Sequence, residues 1–257
     1  MPAIIKVAKM AGEFIKEERK KFSIDDVEYK GHNDMVSYVD KEAEKMIIDG
    51  LGGIFNEASF IAEEGTTERT MKKHTWIIDP LDGTTNFIHG VPFYSVSIGL
   101  MTDGKLHAGV IYEPNSGDTY AGEIGDKAYK NDDVISVSEK EEIKESLLAT
   151  GFPFYKFNKI DDYLEILHHF MNQSHGLRRM GSAALDLAYV ATGQFQGFFE
   201  YNLKPWDVAA GAVIVQCAGG KITDFKGGDD YLFGKELIAA GGVHEKMLKV
   251  INQLWYK

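Results

Sequence analysis

The chain has 257 residues, 44% hydrophobic and 26% charged, the balance of a soluble globular protein with one large domain or two joined halves. Its 39 acidic and 28 basic residues give a formal net charge of −11, which argues against a broad basic face for nucleic acid. One cysteine, Cys217, excludes an internal disulfide and fits a reducing cytoplasm, while no run reaches the roughly 18 apolar residues of a membrane span and no signal peptide is expected at the N-terminus.

Ile4, Val7, Ala8, Ala11, Phe14 and Ile15 recur at helical spacing and predict an amphipathic helix over the first twenty residues. Val39, Ala43, Met46, Ile47 and Leu51 repeat the pattern, and Gly52-Gly53 can stop that helix. Phe60-Ile61-Ala62 and Trp76-Ile77-Ile78 read as short buried strands. The segments 95–101 and 106–112 flank Asp103-Gly104, a hairpin signal, and 118–124 can add a strand. A polar seam over 131–145 divides the chain into an N-terminal α+β half, 1–145, and a C-terminal α/β half, 146–257. In the second half, strands are expected at 147–149, 195–199 and 237–240, and helices at 162–171, 183–191, 208–217 and 247–254. This alternation predicts stacked layers of helix and sheet. Cys217 falls inside an apolar helix, where burial is expected.

Chemistry concentrates in the run 76–87, WIIDPLDGTTNF. A buried strand ends on Asp79 and Asp82, and a Gly-Thr-Thr turn follows. Such acids suit a hard cation such as Mg²⁺. Pro80 fixes the backbone between them and can leave the Leu81 carbonyl free to act as a further oxygen donor. Gly83 allows close backbone approach, and N–H groups at the start of a helical turn bind phosphate oxygens. Glu63-Glu64 ends a second apolar run, and Asp207 opens a third in Lys204-Pro205-Trp206-Asp207. Each has an ordinary alternative: Asp207 as a cap or first-turn acid of its helix, Glu63-Glu64 as a solvated loop, and Asp79 as a cap of the turn before Gly83. Their joint occurrence at the ends of apolar runs favours convergence, which would be strongly repulsive without cations.

The run 79–87, DPLDGTTNF, resembles the signature of the inositol monophosphatase family. A second family motif is matched by Trp206-Asp207-Val208-Ala209-Ala210-Gly211 with Ala218-Gly219-Gly220 after it. Glu63-Glu64, the segment 34–40 (DMVSYVD) and Gly181-Ser182-Ala183-Ala184 match further positions, so the resemblance runs from about residue 5 to residue 245. It implies a layered α-β-α-β-α sandwich and Mg²⁺-dependent hydrolysis of a phosphate monoester, with two or three ions. By position, Glu63, Asp79 and the Leu81 carbonyl would hold one Mg²⁺. Asp79, Asp82 and Asp207 would hold a second, and Glu63 with waters a third. Thr84 would orient the attacking water, Asp40 would accept from the Thr84 hydroxyl, and Glu64 would assist. Without the resemblance, Asp40 and Ser37 read as a helix cap. The N–H groups of Gly83 and Thr84, beside Asp82, would bind the phosphate.

For the rest of the substrate, the resemblance points to Glu200 and the Ala183 backbone as contacts to a sugar or inositol ring, and to Lys30 near the phosphate. Thr150-Gly151 falls near the pocket, and Lys204 faces either solvent or a second phosphate. A small phosphorylated polyol or sugar is therefore expected, with myo-inositol monophosphate ahead of fructose 1,6-bisphosphate and a 3'(2'),5'-bisphosphate nucleotide. Thr85-Asn86-Phe87 is closer to the inositol branch than to relatives that carry lysine after Asp-Gly-Thr. The interval between Glu64 and Trp76 leaves no room for an added specificity domain. Lithium sensitivity, a homodimer and a cytoplasmic location complete the implied picture, with neither nucleic acid nor membrane as partner. A regulatory scaffold on the same fold would predict loss of at least one of these acids, and none is missing.

Overall fold

The computed structural model describes residues 1–23, 27–31, 34–55, 57–65, 71–153 and 157–257; the side chains of 28–31 and 34–36 lie outside that description. Helix α1 (Pro2–Arg19) precedes a hairpin of β1 (Val27–Gly31) and β2 (Asp34–Ser37), then α2 (Tyr38–Gly52). A seven-stranded sheet follows in the order β3 (Ser59–Ala62), β4 (His74–Asp82), β5 (Ser95–Thr102), β6 (Lys105–Glu113), β7 (Asp118–Glu123), β8 (Ala128–Lys130) and β9 (Asp133–Ile135). The β3–β4 pair is parallel and the remaining neighbours are antiparallel. The short helix α3 (Thr84–His89) leaves the end of β4.

The second sheet has five strands in the order β11 (Gly176–Arg178), β10 (Leu147–Thr150), β12 (Gly197–Tyr201), β14 (Glu236–Ala240) and β13 (Lys221–Thr223). Helices α4 (Ile160–Gln173), α5 (Ala183–Ala191), α6 (Pro205–Cys217) and α7 (His244–Trp255) belong to this half. Strand alternation fixes the layers. Trp76 and Ile78 of β4 face α1 and α2, while Ile77 faces Ala209 of α6. In the smaller sheet Ala149, Phe198 and Ala239 meet α5 and α6, whereas Leu148, Phe199 and Ile238 meet α4 and α7. The result is an α-β-α-β-α sandwich with α5 and α6 as its central layer.

Helices α1 and α2 are amphipathic because each buries one face only. Helix α6 carries an almost unbroken apolar run, Val208 to Val215, all of it buried, because it is covered on both sides. The hairpin between β5 and β6 turns through Asp103 and Gly104, both at positive φ, as that tight turn requires. The polar stretch 131–145, read from sequence as a seam, partly joins the larger sheet: β9 pairs with β8 within it. Cys217, expected inside, is half-buried at the end of α6.

The position of α6 depends on glycines in register across three strands. Gly109 pairs with Gly99 on β5 and with Gly122 on β7. A Cβ at Gly109 would lie 2.4 Å from the Ala210 carbonyl oxygen and 2.8 Å from its Cα. At Gly99 it would lie 2.7 Å from Ala209 Cβ. The helix backbone therefore rests directly on the sheet, which sets where Asp207, in its first turn, comes to lie. Gly109→Ala is expected to cost about 1–3 kcal/mol through overpacking and to lower turnover by lifting α6. Urea denaturation checks this, and a variant with wild-type stability would contradict the close approach.

Candidate active site

Strand β4 ends on Asp79 and Asp82, and α6 begins two residues before Asp207 in the adjacent layer. Asp79, Asp82 and Asp207 each place a carboxylate oxygen within 4.8 Å of the other two. Asp79 and Asp82 are 2% and 8% exposed. Burial pushes the Asp79 carboxyl well up, and the charges of Glu63, Asp82 and Asp207 add to it, as does a side-chain hydrogen bond with Glu63. Glu63 reaches Asp79 because the parallel β3–β4 register pairs Ala62 with Ile78, one residue earlier on each strand. Burial also raises Asp82 to about 6, and raises Asp207 to about 7 with the Asp82 charge as the next cause.

Local hydrogen bonds anchor each of these acids. Asp79 Oδ1 accepts from the Leu81 N–H at 3.0 Å. Asp82 Oδ2 accepts from the Ser182 hydroxyl at 2.5 Å and the Ala184 N–H at 2.7 Å, both at the start of α5. Asp207 Oδ2 accepts from the Lys204 N–H at 2.7 Å, so it also closes the first turn of α6. The capping role and the site role of Asp207 coexist. The same holds for Asp40: its Oδ2 accepts from the Ser37 N–H and hydroxyl, and its Oδ1 lies 3.1 Å from Thr84 Oγ1. The Thr84 hydroxyl is also 3.0 Å from the Leu81 carbonyl, so its one proton has two acceptors.

Gly83 precedes α3 at φ 96°, and a Cβ there would meet the Phe93 carbonyl oxygen at 3.0 Å. Only glycine suits both demands. The turn presents the first N–H groups of α3, which have no acceptor within the helix, beside the Asp40–Thr84–Leu81 bonds. Buried Asn86 ties this turn to the second half by donating to the carbonyls of Phe93 (2.7 Å) and Met180 (2.9 Å).

A cleft of about 420 Å³, partly open to solvent, runs from Asp82 and Asp207 past Ala183 to Glu200 and Thr150. Glu200, half-buried at the end of β12, has its carboxyl raised to about 8 by burial and by Asp207, against the opposing charge of Arg179. Gly151 makes room for it, since a Cβ there would lie 2.0 Å from Glu200 Oε1. Thr150 also lines the cleft, and its hydroxyl is 2.8 Å from that of Tyr163.

Glu64 sits beyond the end of β3, where its backbone N–H donates to buried Glu44 at 2.7 Å. Lys204 lies near Asp207 and lowers its carboxyl slightly by its charge. The Lys30 side chain lies outside the described residues. Sequence reasoning passed over Arg179, Ser182, Asp186 and Glu44. Ser182 stands within a quoted motif and starts a helix, a recoverable signal. Arg179 and Asp186 had none, because only folding brings them to the cleft.

The donors around Asp79 are hard oxygens, buried at Asp79 and Asp82 and half-buried at Asp207, and they repel one another. That set fits a divalent cation of the Mg²⁺ class, and among the described residues the cluster has no thiolate or imidazole for a softer metal. Such a cluster next to the Gly83 turn that opens α3, in an α-β-α-β-α sandwich, is the frame of a phosphoric monoester hydrolase. The chain belongs to the inositol monophosphatase family, whose model matches residues 2–256. It is 42% identical over 249 residues to a putative Nus factor SuhB of Neisseria meningitidis serogroup B, covering 96% of this chain and 95% of that protein. It is 39% identical over 229 residues to an inositol-1-monophosphatase of Mesorhizobium japonicum, covering 88% and 86%. The crystal structure of extragenic suppressor protein suhB from Bartonella henselae superposes with a TM-score of 0.92 at 38% identity, covering 98% of both chains. Among the described residues, no helix is long and apolar enough to cross a membrane.

The raised carboxyls set a pH dependence. Folded Asp82, Asp207 and Glu200 hold protons up to about pH 6, 7 and 8, whereas the unfolded chain releases them near pH 4. The stability they contribute is full below about pH 4 and is lost as pH rises through about 8. In chelator, the thermal midpoint of the wild type should fall over that window, Asp207→Asn should flatten the fall, and Mg²⁺ should restore the midpoint most at the alkaline end. Equal slopes for wild type and variant would contradict the assigned repulsion.

Proposed function

We propose that the chain is a Mg²⁺-dependent phosphatase of small phosphorylated polyols, with myo-inositol 1-phosphate as preferred substrate and water as the direct nucleophile. The observation that carries this reading is the convergence of Asp79, Asp82 and Asp207, two of which, Asp82 and Asp207, line the cleft that also holds Glu200 and Ala183. Asp79, Asp82 and Asp207 would hold one Mg²⁺, and Glu63, Asp79 and the Leu81 carbonyl another, with a third on Glu63. The bound cations supply positive charge that neutralises phosphate oxygens, lowers the pKa of water and stabilises the leaving oxygen.

The remaining work falls to the chain. The Gly83 and Thr84 N–H groups would hold phosphate oxygens. With its proton given to Asp40, the Thr84 oxygen can accept from a water and aim that water's lone pair at phosphorus. Glu64, beside the site, would take part in holding that water. The new P–O bond forms as the ester P–O bond breaks, and the leaving oxygen takes up a proton. No phosphorylated side chain is needed. Glu200 and the Ala183 backbone would orient the polyol.

Glu200 and Asp186 line the cleft as carboxyls that burial holds toward their neutral forms, a set suited to hydrogen-bonding hydroxyls rather than to balancing the charge of a second phosphate. This supports inositol phosphate over fructose 1,6-bisphosphate and the bisphosphate nucleotides. A homodimer, inhibition by lithium and a cytoplasmic location rest on the family resemblance alone. A regulatory role, of the sort the Neisseria relative's name carries, is the second reading, and it rests on the 42% identity. A panel of the three substrates at fixed Mg²⁺ separates these readings. Inositol 1-phosphate is expected to give the highest kcat/KM; preference for a bisphosphate would overturn the substrate assignment, and no turnover on any monoester the enzymatic role. Asp207→Asn and Thr84→Ala are each expected to lower kcat by about 100-fold or more with the fold intact. Wild-type turnover in either would refute its assigned role.

A further inference from the structure

Asp186 has no part in the chemistry derived above, yet it is one of the most unusual residues in the molecule. It lies in the first turn of α5, where every other residue from Ala183 to Ala188 is apolar and buried. It is itself 2% exposed. Its Oδ1 has no hydrogen-bond partner among the described residues. An apolar side chain would fill this place at no such penalty. The carboxyl nonetheless lines the cleft that Asp82, Glu200 and Asp207 also line. A buried carboxyl oxygen without a hydrogen-bond partner among the described residues, on a residue that lines the cleft, is accounted for if the ligand answers it.

The surroundings define the chemistry of that ligand. Among the cleft's lining residues Arg179 is the one cation, facing four acids. Burial pushes the Asp186 carboxyl well up, Glu200 and Asp82 add to this, and Arg179 opposes it. A carboxyl held toward its neutral form donates one hydrogen bond and accepts others, as a hydroxyl does. An anionic group there would meet Glu200 as well.

We propose that Asp186 is a specificity-determining residue, which hydrogen-bonds a hydroxyl on the polyol part of the substrate beside the one that Glu200 holds. This rests on the phosphatase reading and adds a second acid to the recognition of the leaving group. Two acids in one cleft, buried Asp186 and half-buried Glu200, match two hydroxyls of one ring, and a leaving group without hydroxyls uses neither.

The test compares myo-inositol 1-phosphate with para-nitrophenyl phosphate, whose leaving group carries no other hydroxyl, in wild type, Asp186→Ala and Asp186→Asn. The ratio of kcat/KM for the inositol ester over the nitrophenyl ester is expected to fall about tenfold or more in Asp186→Ala, the loss of one hydrogen bond. The fall should come mainly through KM, with partial recovery in Asp186→Asn. The thermal midpoint should hold or rise, since an unpaired buried acid is removed. An unchanged ratio in both variants, or a lowered midpoint with equal losses on both esters, would overturn the inference and leave the phosphatase reading standing. If the wild type hydrolyses neither ester, the phosphatase reading itself fails and this inference with it.

Discussion

The structure is organised around an electrostatic problem: three acids from two segments, the end of β4 and the start of α6, are held close together and largely shielded from water. Two like charges about 4 Å apart repel by about 4 kcal/mol at an effective dielectric constant of 20, and burial adds to this. A chain left to itself would turn these side chains outward. What prevents it is that each acid is also part of the fold. Asp79 holds the Leu81 N–H across Pro80, Asp82 receives the start of α5, and Asp207 closes the first turn of α6. Moving any of them outward would leave a helix end or a strand end unsatisfied.

The layers carry this constraint through the molecule. The glycines at 99 and 109 let the α6 backbone settle on the larger sheet, so that Asp207 is carried to the end of β4. Ser182 and Ala184 bring α5 to Asp82, and Asn86 ties the α3 turn to Met180. These links run between the 1–145 and 146–257 stretches, so the acid cluster depends on both. The cleft is lined by Asp82 and Asp207 of the acid cluster from both stretches and by Glu200 of β12.

Much of this was legible in the sequence where local pattern and final position coincide. Asp79 and Asp82 end a β-patterned run and Asp207 opens a helical one, so chain order alone puts acids at element ends. The helix over 183–191 and the hairpin at Asp103-Gly104 were likewise local facts. Strands β8, β9, β11 and β13 were not legible: each has three residues, too few for a period, and each exists through its neighbour's hydrogen bonds. The role of Gly99, Gly109 and Gly122 is invisible until the register sets them side by side. Asp186 reads in sequence as one polar residue in an apolar helix, and only the fold of the second sheet brings Glu200 and Arg179 to it. Ordinary capping readings of Asp40 and Asp207 competed with functional ones; in the structure each caps a helix start while also meeting Thr84 or the acid cluster.

The central claim is that the Asp79, Asp82 and Asp207 carboxylates exist in this arrangement to hold divalent cations. The most direct measurement is anomalous diffraction from crystals of the wild-type protein soaked in Mn²⁺, a hard cation that takes the same oxygen donors as Mg²⁺. The account predicts anomalous density between the three carboxylates, with oxygen ligands from Asp79, Asp82 and Asp207. Density elsewhere on the protein with none at this cluster would contradict it.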